Sequence, residues 1–187
     1  MTSSVNYTTQ NQLLLNNLME FYKDEKYLSR MLKIITGESK ISLRIVDWFA
    51  TNYAKKNYTL YTINESSPIR FKVYFDYKLK LKAYSKKRFD PFCRWERISI
   101  PYKNGTSIET TIGQLNFFKW ALENKVIDYI EENYDAIEKD MNSRNSTSKR
   151  KETLLDNSKT RKKREELSIS ATKSIKKEEV EIVVQFH

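Results

Sequence analysis

Apolar side chains recur at helical spacing through the first quarter of the chain. Leu14, Leu18, Phe21, Leu28, Met31, Leu32 and Ile35 share a face between about Gln10 and Ile35, which predicts one helix or two short ones. Gly37 suits the left-handed cap that ends such a helix. A second stripe, Ile41, Ile45, Trp48, Phe49 and Tyr53, predicts a helix over about 39–55. The period then changes. Tyr58 to Ile63 reads as a short strand and Asn64 to Pro68 as a turn. From 71 to 84 the chain alternates strictly. Phe71, Val73, Phe75, Tyr77, Leu79, Leu81 and Ala83 take the odd positions; Lys72, Tyr74, Asp76, Lys78, Lys80, Lys82 and Tyr84 take the even ones. Alternation of this kind predicts a strand with one buried and one wet face, paired with the preceding strand as a hairpin. Its length calls for a bend or bulge.

Arg94 to Tyr102 predicts a further strand, Lys103-Asn104-Gly105 a turn, and Ser107 to Thr110 a short strand. Thr111 with Gln114 forms a capping-box pattern. It opens a helical region reaching about Asn142, with Leu115, Phe118, Leu122, Val126, Ile130, Tyr134, Ile137 and Met141 on its apolar side and a break at Glu123-Asn124-Lys125. The order predicts an α+β fold: an antiparallel sheet of three to four strands with N-terminal and C-terminal helices packed on one side. Residues 143–187 are crowded with Ser, Thr, Asn, Lys and Glu and lack aromatics until Phe186. They bury too little apolar surface to offset chain entropy. The expected organisation is one α+β domain over 1–142 and a basic, largely disordered tail over 143–187. The last nine residues, Glu179 to His187, are β-prone and suited to adding a strand to the sheet or to a partner.

Charge changes this picture. The 187 residues include 34 Lys or Arg and 24 Asp or Glu, for a formal charge of +10. The distribution is uneven: residues 61–103 carry eleven basic and four acidic side chains, a net of +7, and residues 104–142 carry three and eight, a net of −5. Such asymmetry informs association and not folding. Other classes fall away on composition. One Cys excludes an internal disulfide, and with one His it leaves no zinc cluster made by this chain alone. Three Gly leave no room for a glycine-rich phosphate loop. No apolar run approaches the roughly 20 residues that span a bilayer, and Met1 to Asn6 is no secretory signal. The expectation is a soluble, basic, intracellular protein. His187 is terminal, so Cys93 has no interior His to activate it. Asp47, Asp76, Asp90 and Glu96 are candidates for a magnesium site, but carboxylate–lysine pairs arise by chance in a chain this charged. The expectation is a protein that is not an enzyme and uses no cofactor.

Three stretches together carry a resemblance. They are ISLRIVDWF over Ile41–Phe49 with Asn52–Lys56, YKLKLKAYSKKRFDPFCR over Tyr77–Arg94, and TTIGQLNFFKWA over Thr110–Ala121. The region 41–142 resembles a small family of the large nucleocytoplasmic DNA viruses, whose iridovirus members are called immediate-early infected-cell proteins. The resemblance implies a viral origin, expression in infected cells and a role in gene expression, hence a location in the host nucleus or the cytoplasmic virus factory, or in the virion. It implies no catalytic residues.

The basic block supplies the candidate site. Residues 70–88 hold Arg70, Lys72, Lys78, Lys80, Lys82, Lys86, Lys87 and Arg88 against one acid, Asp76. On a strand, Lys78, Lys80 and Lys82 form a ridge with a repeat of about 7 Å, close to the spacing of successive phosphates. Tyr74 and Tyr84 fall on the same face, suited to stacking on bases, and Arg94 and Arg97 extend the patch. In the tail, Lys149-Arg150 and Arg161-Lys162-Lys163-Arg164 match the form of a bipartite nuclear import signal. The expected function is non-enzymatic, mainly electrostatic binding of DNA or RNA through the basic strand and the tail, in viral gene expression or genome handling. The competing expectation is an interaction or assembly protein whose basic ridge meets an acidic surface, on a viral partner or on the 128–138 face of this chain, in the same copy or across a homodimer. The nucleic-acid expectation leans on the strand: if the segment is coiled as a helix, or its basic face is plugged by the protein's own carboxylates, the expected role loses its footing.

Overall fold

The computed structural model describes residues 10–63, 70–102, 105–154 and 177–179, with 145–154 and 177–179 as backbone alone. Helix α1 (Gln10–Phe21) and helix α2 (Glu25–Thr36) divide the first stripe. Asp24 separates them by capping α2, its Oδ1 accepting from the Lys26 N–H at 2.9 Å. Gly37, at φ 80°, closes α2 in the left-handed conformation. Ser42 caps α3 (Leu43–Trp48). The helix continues through one π turn, Phe49–Tyr53, into α4 (Ala54–Lys56).

Strand β1 (Leu60–Thr62) pairs antiparallel with β2 (Arg70–Lys72), Tyr61 opposite Phe71. Here the expectation fails. The alternating segment is a helix, α5 (Val73–Arg88), and only Arg70–Lys72 is extended. Strands β3 (Arg97–Pro101) and β4 (Thr106–Thr111) make the second hairpin, along whose β4 edge β5 (Lys177–Glu179) runs antiparallel. The fold is α+β and mostly helical, with two small antiparallel sheets. The single sheet expected from these strands is divided in two, β1–β2 and β3–β4–β5, because its longest expected strand is a helix.

Helix α6 (Ile112–Glu123) is the centre of the molecule. Leu115, Phe117, Phe118 and Ala121 are wholly buried, as a helix apolar nearly all round requires. Thr111 caps it by accepting from the Gln114 N–H at 3.2 Å. The Gln114 side chain donates to the Pro91 carbonyl and accepts from Thr110. Lys125, at φ 54°, turns the chain into α7 (Val126–Glu132), and α8 (Tyr134–Leu154) follows. Helix α8 runs past Asn142, so Lys149 and Arg150 lie on its backbone path. The second basic cluster, Arg161 to Arg164, and the β-prone end beyond Glu179 lie outside the described residues.

Candidate nucleic-acid interface

Helix α5 forms because a helical stripe is nested in the alternation. Val73, Tyr77, Leu81 and Tyr84 sit at i, i+4, i+8 and i+11, and Lys78 to Ala83 are all strong helix formers. Tyr77 packs against Trp120 and Phe89, each at a centroid distance of 5.9 Å. Burial pushes its hydroxyl up to about 12. Asp76, in the first turn where a carboxylate suits the helix dipole, accepts from Trp120 Nε1 at 2.6 Å. At Ser85 (φ 61°, ψ 169°) the helix is interrupted, and Lys86 to Arg88 form a separate last turn.

Coiling redistributes the predicted ridge. Lys78 and Lys82 stay together on an exposed face, one turn and about 6 Å apart. Lys80 turns about 200° away from Lys78, into a small recess lined by Leu14, Asn17 and Trp120. Tyr84 is half-buried and stacked on Phe89, at 6.2 Å and 24°, so one of its ring faces is taken. Arg88 donates to Gln10 Oε1 at 3.3 Å, and Arg97 pairs with Glu109 at 3.1 Å on the second hairpin. Lys86, Lys87, Arg70 and Arg94 are exposed. The odd stripe splits as well: Phe75 and Leu79 are 60% and 65% exposed.

A second group, missed in the sequence except for Lys72 and Tyr74, gathers at the N-terminus of α5. A groove of about 380 Å³ opens between the end of α4, β1 and the first turn of α5. Lys55, Tyr58, Leu60, Lys72, Tyr74 and Phe75 line it, and none of its lining residues is acidic. Lys72 Nζ lies 6.0 Å from the Phe75 ring centroid, and Lys55 Nζ lies 5.7 Å from that of Tyr74. The wall is held in place by Tyr61, which donates to the Asn124 carbonyl at 2.7 Å and stacks on Tyr129 at 5.0 Å. Tyr58 is placed by the end of α4. Asn57 N–H donates to the Tyr53 carbonyl and Thr59 N–H to the Ala54 carbonyl, a Schellman closure with Tyr58 at φ 46° in the position that usually holds glycine. The only sequence signal for it was Asn57-Tyr58 ending a helix that had no glycine to close it.

The acidic face of α7 and α8 is met within the chain, though not by α5. Arg30 reaches Asp128 at 2.6 Å and Glu131 at 2.7 Å, and Lys40 lies 3.7 Å from Asp135. Among the described residues, no three His, Cys, Asp or Glu gather to hold a metal. Asp76 is engaged by Trp120, and Glu96 accepts from Asn11 at 3.5 Å. Asp47 is pushed up to about 6 by burial and by the neighbouring charge of Asp90, with Lys86 opposing. Cys93 is buried. No described helix is long and apolar enough to cross a membrane.

A family model described as a family of unknown function (DUF7197) matches residues 2–186, wider than the span of the resemblance seen in the motifs. Uncharacterized protein L507 of Acanthamoeba polyphaga mimivirus is 48% identical over 147 residues, covering 75% of this chain and 56% of that protein. The chain thus spans little more than half the length of that relative. No solved structure matches.

Proposed function

This chain belongs to the DUF7197 family of unknown function, an uncharacterised family of large DNA viruses, and on that premise we propose that it is a non-enzymatic nucleic-acid-binding protein acting in viral gene expression or genome handling. The ladder of a flat ribbon does not exist in this fold and gives the proposal no support. One observation carries it instead: Lys72, Lys78 and Lys82 are exposed around α5, and none has an ion-pair partner among the described residues. Unpaired ammonium groups on one surface attract polyphosphate by releasing its counterions, with little regard to sequence. The basic clusters of the tail, Lys149-Arg150 and Arg161 to Arg164, add to that attraction and serve nuclear import under the same proposal. The finer kinship with iridovirus immediate-early proteins belongs to it too, with a site of action in the nucleus or virus factory. Filter binding of labelled DNA and RNA tests it. Retention at about 50 mM salt that falls roughly tenfold or more by 200 mM supports it; no retention at low salt contradicts it.

A second reading is favoured by Phe75 and Leu79, which stand exposed beside the lysines. An assembly protein would cover them with a partner or a second copy of this chain. Size-exclusion chromatography with light scattering at two salt concentrations separates the two: a salt-insensitive dimer favours assembly, a monomer favours nucleic acid.

A further inference from the structure

We infer that the groove beside α5 is a stacking site for unpaired bases, so that the preferred ligand is single-stranded DNA or RNA; this rests on the nucleic-acid reading above and adds the ligand class. Tyr58 and Phe75 supply the ring faces, being 78% and 60% exposed. Lys55 and Lys72 supply the cations for the adjoining phosphates. Every base has a π-face, so stacking on such rings tolerates any sequence but requires a base outside a duplex.

Tyr58 gives the independent observation. A side chain in the left-handed region is strained, and at this point in a Schellman closure glycine is the less strained residue. Burial does not compensate, since the ring lies almost wholly in water. Such strain recurs at functional positions, and of the four described non-glycine residues with positive φ, Tyr58 is the one that lines the groove. The π turn Phe49–Tyr53, an element that recurs at functional sites, directly precedes the α4 turn that presents Lys55 and Tyr58.

Charge decides among occupants. A methylated ammonium would suit the rings and be repelled by Lys55 and Lys72. An acidic peptide would meet the lysines and leave both rings in water. An unpaired oligonucleotide satisfies the two together.

The test uses the full chain and three fluorescent probes of equal length: oligothymidylate, the same backbone with abasic sites, and a duplex. Anisotropy should show oligothymidylate bound about five- to a hundredfold more tightly than the abasic strand. Tyr58→Gly and Phe75→Ala should each shrink that gap. Tyr58→Gly should do so while raising the unfolding midpoint by about 2–4 °C, which separates lost stacking from lost folding. Equal binding of the abasic strand or the duplex, or an unchanged gap in Tyr58→Gly, overturns the stacking site and leaves the electrostatic reading intact. Failure of all three probes to bind at low salt overturns both.

Discussion

Trp120 Nε1 donates to Asp76 Oδ1 across 2.6 Å, and this bond ties α5 to the buried helix α6. Trp120 is 3% exposed, so its indole N–H has no water to turn to if the carboxylate is removed. Asp76→Ala should cost about 1–3 kcal/mol in chemical denaturation, the usual penalty of an orphaned buried donor. Asp76→Asn keeps an acceptor oxygen in place and should cost less than half as much. Equal losses in the two variants would show that the bond does not fix α5.

Gly113 carries a different kind of constraint. A Cβ there would lie 2.8 Å from Cys93 Cβ and 3.0 Å from the Lys87 carbonyl oxygen. Neither atom is the end of a flexible side chain, so backbone must shift. Gly113→Ala should destabilise by about 1–3 kcal/mol although alanine is the better helix former. Thermal unfolding gives the answer directly; an unchanged or raised midpoint would mean the contact between α6 and the turn after α5 is loose.

Asp47 predicts a pH dependence. Its folded-state value, raised to about 6 from 3.8 chiefly by burial and then by Asp90, means that the native state holds a proton longer than the unfolded chain. Stability from this group is present below 3.8 and is lost as the pH rises through about 6. Asp47→Asn should therefore stabilise the protein at neutral pH, by at most about 3 kcal/mol, and should flatten the fall between those two values. Asp90, whose carboxyl burial also raises, remains in the variant. An equal slope in wild type and variant would assign the effect elsewhere.

Much of the fold could be read from the sequence wherever side chains signal local geometry. The left-handed Gly37, the Thr111 cap and the break at 123–125 are each fixed by one or two residues and their own backbone. The β3–β4 hairpin stands at the two stretches expected to be strands, with β3 starting at Arg97 rather than Arg94. Helix α5 escaped because its odd positions satisfy both periods. Val73, Tyr77 and Leu81 are apolar on a strand and on a helix alike, and tertiary packing, against Phe89, Phe117 and Trp120, favours the helix. Helix-forming Lys, Leu and Ala at 78–83 were the available local hint. That one error carried through to the site. It grouped Lys80 and Tyr84 with Lys78 and Lys82, whereas the helix turns the first pair inward. It also hid Phe75 and Tyr58, which share a groove only because α5 starts where β2 ends. The break at Asn133 that separates α7 from α8 has no breaker residue in the sequence, and the structure offers no simple cause for it.

In the proposed function α5 itself contacts phosphate, apart from any contribution of the tail. The slope of log affinity against log salt measures this. Replacing both Lys78 and Lys82 by Gln in the full chain, which keeps helix-forming side chains, should lower the slope by about 1–2 units and weaken binding of every oligonucleotide alike. A slope unchanged in the double variant, with affinity unchanged, would show that α5 takes no part in binding.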